Sequence, residues 1–377
     1  MRYRIDFSRV RKLAEVSGNN TYLCYQCGTC TASCLLAPSI SVRRAIKYAQ
    51  IGYLPSNGGE VWRCISCKYC DARCPRGVEI AKIMRGFKRE FYEAKQSPNE
   101  LTEALWRVYE EGNPLGSPRR ERSAWASGIK LDDKPDVVLY TCCLAAYDRR
   151  LQKVLRSLVD VLKRAGVRVG ILGESETCCG DVVYHTGEDY FLEELAQNNA
   201  DIIEKSGAPV VLTVSPHTYN MLKNIYPKYG AKIGVPIMTH VQYLSEVLSG
   251  GRLKPKPPKR PRPITYHDPC YLGRWNNVYE EPRQLIEAIP GIRLVEMEHN
   301  RSYSLCCGGG GGSIWMENKD ARRVTKRRLR EAKDTGAVEM ATACPYCIRM
   351  FEDELKIERL DVGIVDVVEL LDEATRE

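Results

Sequence analysis

The sequence has no apolar run approaching the 18 or so residues that a membrane helix needs. Its opening stretch, MRYRIDFSRVRKL, is charged throughout and lacks the apolar core of a signal peptide. Both absences point to a cytoplasmic protein, in a compartment that keeps thiols reduced. No G-x-G-x-x-G fingerprint sits in a strand–helix–strand context, so a flavin, if one is used, is expected on a partner. No basic helical stripe interleaved with aromatics is present, and nucleic acid is not an expected partner. Histidine is scarce: His185, His217, His240, His267 and His299 are all there are. Against these absences stand 17 cysteines. In a reducing compartment, clustered cysteines signal metal or redox chemistry and not a disulfide framework.

The length of 377 residues suggests two or three domains, and 44% hydrophobic with 28% charged residues is enough for a folded core. The net charge of +8 is concentrated in residues 252–263, RLKPKPPKRPRP, with six basic residues and no acid. Its five prolines favour an extended spacer between domains. Contact with an acidic partner or anionic lipid is the alternative use of such a stretch.

The chain divides by pattern. Residues 1–94 hold eight cysteines and read as helical, with Ile40, Ala45, Ile46 and Ala49 near helical spacing and a second helix over Val78–Tyr92. A partly helical linker occupies 95–135. Residues 136–250 then alternate strands (136–140, 167–172, 209–214) with helices, the longest apolar face being Leu151, Val154, Leu155, Leu158, Val159 and Leu162. That order implies a mainly parallel sheet covered by helices. After a linker at 251–263, a second such unit spans 264–377. The two units form an internal repeat. Cys143, Cys178, Cys179 and Ser215 match Cys270, Cys306, Cys307 and Cys344 at offsets of 127, 128, 128 and 129. Two facing α/β halves would bring their cysteines near a shared cleft.

Cys24, Cys27, Cys30 and Cys34 form C-x2-C-x2-C-x3-C, and Cys64, Cys67, Cys70 and Cys74 repeat it, ending in Pro75. This is the two-cluster ferredoxin signature, in which the fourth cysteine of each run serves the other run's cluster. One [4Fe–4S] cubane is therefore expected on Cys24, Cys27, Cys30 and Cys74, and the other on Cys34, Cys64, Cys67 and Cys70. Paired CxxC units also bind zinc, but two intact quartets are far more specific. Cys34 is followed by Leu35 where proline is usual, which removes no ligand.

The last region holds Cys270, Cys306-Cys307-Gly308 and Cys344-Pro345-Tyr346-Cys347. With YHDPCYLGR at 266–274, CCGGGGG at 306–312 and ACPYC at 343–347, and with CYQCGTCTASC and CPRGV in the first region, the chain resembles the fused, D-type component of heterodisulfide reductases and its iron–sulfur relatives. The resemblance implies a helical two-cluster ferredoxin domain followed by two pseudo-repeated α/β CCG domains. It implies a noncubane [4Fe–4S] cluster on Cys270, Cys306, Cys307, Cys344 and Cys347. Gly308 and Gly309 would bring backbone N–H groups close to it; the bland alternative for the glycine run is a flexible turn. His267, near Cys270 in sequence, would donate protons to a product thiolate or act as an ordinary hydrogen-bonded core histidine.

The first half departs from the family. Its CxxC is replaced by Ser215-Pro216-His217-Thr218, and Cys142 stands where glycine is usual. Loss of the second noncubane cluster is expected, with His217 a structural remnant. A different cluster on Cys142, Cys143, Cys178 and Cys179, or a thiol in redox exchange there, are the alternatives. The implied function is passage of electrons through two cubanes to the noncubane site, where a disulfide or related small-molecule or protein-bound sulfur substrate is reduced or formed. The implied partners are other redox subunits: a membrane cytochrome b-like subunit, which would hold the chain on the inner membrane face, or a flavoprotein. Similar chains also serve as iron–sulfur relays of flavin-dependent glycolate, lactate and glycerol-3-phosphate dehydrogenases.

Overall fold

The structure is a computed structural model describing residues 5–17, 21–56 and 58–376; the first four residues of the charged opening stretch lie outside them. The apolar run Val137–Tyr140 forms strand β1, buried at all four positions. A run without polar alternation suits a strand covered on both faces. β1 pairs in parallel with β2 (Val169–Ile171) and β3 (Val211–Thr213), and β3 pairs with β4 (Ile237–Thr239). The order is β2-β1-β3-β4. The second half repeats it as β6-β5-β7-β8, with β5 at Arg262–Tyr266, β6 at Ile292–Leu294, β7 at Glu339–Thr342 and β8 at Gly363–Asp366. Register repeats too. Val138 pairs with Val211, and Thr265 with Met340, displaced by 127 and 129 positions as the cysteines are. Both α/β domains are thus four-stranded parallel sheets.

β4 and β8 add to what the sequence indicates. Each is a short edge strand leading into a helix opened by a capping box, Thr239 with Gln242 and Asp366 with Glu369. Arg262 and Pro263, at the end of the basic stretch, already belong to β5.

The helix Gln152–Arg164 buries the apolar face read from its sequence and packs on Val367–Thr375 of the other half. Reciprocally, His240–Ser249 packs on Glu280–Glu287. Each half therefore ends in a helix that covers its neighbour. Ser157 donates to Asp372 at 2.8 Å, Arg150 makes paired bonds to Glu369 at 2.8 and 2.9 Å, and His240 Nε2 meets Asp366 at 3.0 Å with both side chains fully buried.

The N-terminal module is helical. Phe7–Ser17, Val42–Ile51 and Ile80–Glu93 pack around Leu13, Ile46, Ile83 and Phe87. The last of these helices is wedged against both halves. Arg85 pairs with Asp189 and donates to the Tyr184 carbonyl at 3.2 Å, and Lys88 reaches the Gly311 carbonyl at 2.7 Å. No helix among the described residues is long and apolar enough to cross a membrane.

Candidate metal centres

The two N-terminal cysteine runs curl in the same way. Gln26 and Gly28 follow Cys24 with φ of 66° and 89°, and Ser66 and Lys68 follow Cys64 with φ of 50° and 56°. Left-handed residues at matching positions turn three thiols of each run inward; three of the four are not glycine, a strain typical of functional loops. The fourth cysteine comes from the other run in each case. Cys24, Cys27, Cys30 and Cys74 line one void, and Cys34, Cys64, Cys67 and Cys70 line the next. The first is shallow, with Cys27 exposed; the second is deeper, and burial raises the Cys34, Cys64 and Cys70 thiols.

In each half the cysteine loops leave the C-terminal ends of the parallel strands, the usual site position in such sheets. In the second half, Cys270 follows β5, and Cys344 follows β7 and caps the helix Pro345–Glu358. All five cysteines are buried. Cys306 Sγ lies 3.9 Å from Cys270 Sγ and accepts a bond from the Gly308 N–H at 3.4 Å. The Cys307 and Cys347 sulfurs and one ring nitrogen of His267 all lie within 4.8 Å of one another. His267 thus sits against Cys307 and Cys347, not against Cys270. Bonds from the Cys306 and Cys347 thiols, then from His267, hold Cys307 well below the usual thiol range despite burial. Burial opposes ionisation of Cys344, yet bonds from Cys347 and His217 bring it down to about 6.

The second N-terminal quartet abuts this site. The Cys67 and Cys306 side chains meet, and this contact together with burial raises Cys67. Arg274 donates to the Cys67 carbonyl at 2.6 Å and Trp275 to the Ser66 carbonyl at 2.9 Å. The glycine run explains how the modules come so close. A methyl group on Gly311 would lie 2.4 Å from the Cys64 carbonyl oxygen, and one on Gly310 would lie 2.6 Å from that of Ile65. Gly309 packs on Met350. Only Gly308 directs its N–H at a sulfur; the middle of the run serves backbone-to-backbone contact with the N-terminal module.

The first half keeps the loop geometry and loses the ligand set. Gly180 N–H bonds Cys178 Sγ at 3.4 Å, as Gly308 does Cys306. Ser215 Oγ instead accepts from the Thr218 N–H at 3.3 Å, an ordinary helix cap. Cys142 holds φ of 68°, a conformation suited to the glycine usual there. Arg122, from the linker, is buried with Glu176 as an ion pair and brings both terminal nitrogens to 3.7 Å from Cys143 Sγ. A bond from Cys178, and then the Arg122 charge, lower Cys143 to about 7 against burial. Both cysteines of the CxxC are missing on this side, so even with Cys142 only four thiols remain and the residues do not suit a five-cysteine cluster.

His217 does more than fill space. Its Nδ1 lies 3.1 Å from Asp181, and its ring is sandwiched between Tyr271 at 3.9 Å and Tyr346 at 4.0 Å. Those tyrosines flank Cys270 and Cys347 in sequence, so a first-half residue lines the second-half site. Asp181 follows Cys179-Gly180 directly, the one sequence clue to this pair. Arg122, Glu176 and Lys88 carry no such signal, since their role depends on contacts between modules.

The 4Fe-4S dicluster domain family matches residues 19–79. The cysteine-rich domain family, CCG, matches residues 137–223 and 264–352. The chain is 34% identical over 349 residues to the probable iron-sulfur-binding oxidoreductase FadF of Bacillus subtilis, covering 86% of this chain and 48% of that protein. It is 31% identical over 331 residues to the EtfAB:quinone oxidoreductase of Syntrophomonas wolfei, covering 82% and 46%. The chain spans about half the length of these two relatives. Against the D-type component of the dihydromethanophenazine:CoB–CoM heterodisulfide reductase of Methanosarcina barkeri, identity is 28% over 383 residues and coverage 93% of both chains. Among solved structures, a hypothetical protein from Helicobacter pylori covers 99% of this chain and 73% of its own at TM-score 0.55 and 11% identity, a likeness of fold alone. The chain belongs to the heterodisulfide reductase-like iron–sulfur proteins of D type, which fuse a two-cluster ferredoxin module to two cysteine-rich domains.

Proposed function

We propose that this chain carries electrons to the five-cysteine site of its last domain, where a disulfide or related sulfur substrate is reduced or formed, within a complex of redox subunits. The contact between Cys67 and Cys306 carries the reading. It joins the deeper N-terminal quartet to the last domain with no residue between, the arrangement that short-range electron transfer needs. Cys24, Cys27, Cys30 and Cys74 would hold one cubane, Cys34, Cys64, Cys67 and Cys70 the other, and Cys270, Cys306, Cys307, Cys344 and Cys347 a noncubane [4Fe–4S] cluster. When bound, these groups supply one-electron transfer and, at the five-cysteine site, an iron open to substrate sulfur. The donor set suits them, being soft thiolates in two quartets and one convergent group.

The chain's own residues prepare the last site. Tyr271, Tyr346 and His217 wall it with stacked rings and exclude water. Arg274, half-buried beside Cys67, Cys270 and Cys306, offsets the negative charge that reduction adds. The bonds around Cys307 and Cys344 favour their thiolate forms.

A second reading, relay to or from a flavoprotein with no chemistry at the last site, is favoured by the higher identity to the EtfAB:quinone oxidoreductase than to the heterodisulfide reductase component. Anaerobic iron and sulfide analysis should give about 12 iron atoms per chain, four for each group. Zinc in their place overturns the account. Adding a thiol to the oxidised chain should perturb the spectrum of the last site, and Cys307→Ser should abolish disulfide turnover while both N-terminal centres stay reducible. Silence toward thiols, with Cys307→Ser merely slowing electron flow from a flavoprotein, selects the second reading.

A further inference from the structure

His267 is fully buried, and its Nε2 has no hydrogen-bond partner within the protein. A buried polar N–H without a partner is costly and calls for an explanation. The ring is fixed in two ways. Its backbone N–H bonds the Ala341 carbonyl at 2.8 Å, and the ring stands edge-on to Phe351 at 4.8 Å and 86°. Its Nδ1 faces Arg328 Nε at 3.1 Å. A guanidinium N–H only donates and does not deprotonate in proteins. Nδ1 therefore accepts, and the ring's one proton sits on Nε2. Arg328 cannot turn away: it has no exposed surface, and its Nη1 donates at 2.7 Å to both the His299 carbonyl and Glu331.

The ring lies against Cys307 and Cys347 at the spacing of metal ligands, and with Nδ1 taken by Arg328 the nitrogen left to serve those sulfurs is Nε2. A ligating nitrogen must offer its lone pair. The Arg328 bond leaves a proton there instead. We propose that His267, locked in its Nε2–H tautomer by Arg328, is a fixed hydrogen-bond donor to sulfur at the five-cysteine site and is not one of its ligands. Arg328 is then a positioning residue, acting through His267. The donated bond withdraws charge from sulfur and favours the reduced state of a centre held there. This rests on the reading that the five cysteines hold iron.

Nitrogen hyperfine spectroscopy on the full-length, iron-loaded, histidine-labelled chain tests it without any mutation. The expected result is only the weak coupling of a hydrogen-bonded imidazole. Potentiometry then compares wild type with His267→Leu and Arg328→Met at equal iron content. At the wild-type midpoint, each variant should show about a tenfold lower ratio of reduced to oxidised centre, equivalent to 59 mV for one electron. His267→Gln, which retains an N–H, should restore part of the shift. A strong coupling from directly bound nitrogen overturns the proposal, as does an unchanged midpoint in His267→Leu. A wild-type chain with no iron at the five cysteines overturns the functional reading and this inference together; iron with bound nitrogen overturns this inference alone.

Discussion

Lys88 donates to the Gly311 carbonyl at 2.7 Å, across 223 positions of sequence. The same ammonium, with no exposed surface, reaches the Cys64 carbonyl at 3.0 Å. One buried cation thus pins the second cysteine run to the glycine loop of the last domain. Lys88→Met would keep the bulk and leave both carbonyls without a partner. It should cost about 3 kcal/mol of unfolding free energy, read by denaturant titration, with faster amide exchange at Ile65 and Gly311 and little change near β1.

Gly311 has φ of 64° and no room for a side chain beside Cys64. Gly311→Ala should push the N-terminal module off the last domain. Electron transfer between the two modules, read by rapid-freeze spectroscopy, should slow by more than tenfold. Gly336→Ala is the control, since Gly336 has φ of 73° with open space around it. It should cost only about 1 kcal/mol and leave electron transfer unchanged.

His185 and His217 flank Asp181 and shift in opposite directions. In the metal-free chain, burial drops His185 to about 3 against the pull of Asp181. Burial also opposes the charge on His217, but Asp181 and then Cys344 lift it to about 10. Unfolded, both titrate near 6.5. The His185 contribution is complete above that value and is lost as the pH falls toward 3; the His217 contribution is complete below it and is lost as the pH rises through 10. The combined contribution of these two histidines should be largest near pH 6.5. Each limb should fall by up to about 1.4 kcal/mol per pH unit. Thermal unfolding of His185→Asn should flatten the acid limb alone, and that of His217→Gln the alkaline limb alone.

The Arg122–Glu176 pair is buried, and Glu176 also accepts from the Thr141 and Cys142 amides at 2.9 and 3.2 Å. Removing one partner strands the other. Arg122→Met should cost about 3–5 kcal/mol. Adding Glu176→Gln, which retains an acceptor and drops the charge, should recover about half of that loss. Strict additivity of the two changes would show that they do not interact.

Cys142 carries a left-handed φ that glycine adopts freely. Cys142→Gly should raise the unfolding free energy by about 1 kcal/mol as strain is released, with the iron count unchanged. A fall in bound iron would make Cys142 a ligand.

The repeat of cysteines at near-constant offset made the two parallel sheets legible, because the same loops must leave the same strand ends in each half. The edge strands Ile237–Thr239 and Gly363–Asp366 were not legible as strands. They are too short to set a period, although their capping boxes could have marked the helices that follow. Within the site, the sequence separated the ligand-rich half from the depleted one through Ser215 and Thr218. It could not show that His217 turns outward to the other half, since nothing local encodes a contact 127 positions away with Cys344. Lys88 sits in an amphipathic helix where a lysine ordinarily reads as solvated, and only the docked glycine loop buries it.

The exchange of terminal helices between the halves also governs when the protein can be completed on the ribosome. The cysteines of both N-terminal quartets, Cys24 to Cys74, emerge early and close on one another. The helix Gln152–Arg164, by contrast, waits for Val367–Thr375; Ser157 meets Asp372 only after 215 further positions have been synthesised. Until then the part of its surface that meets Val367–Thr375 has no cover, and such surfaces recruit chaperones or other chains. Assembly is therefore ordered, with the cysteine-run module closing before the two halves mature together. A stop codon before Val367 would leave both halves incomplete, not just the second.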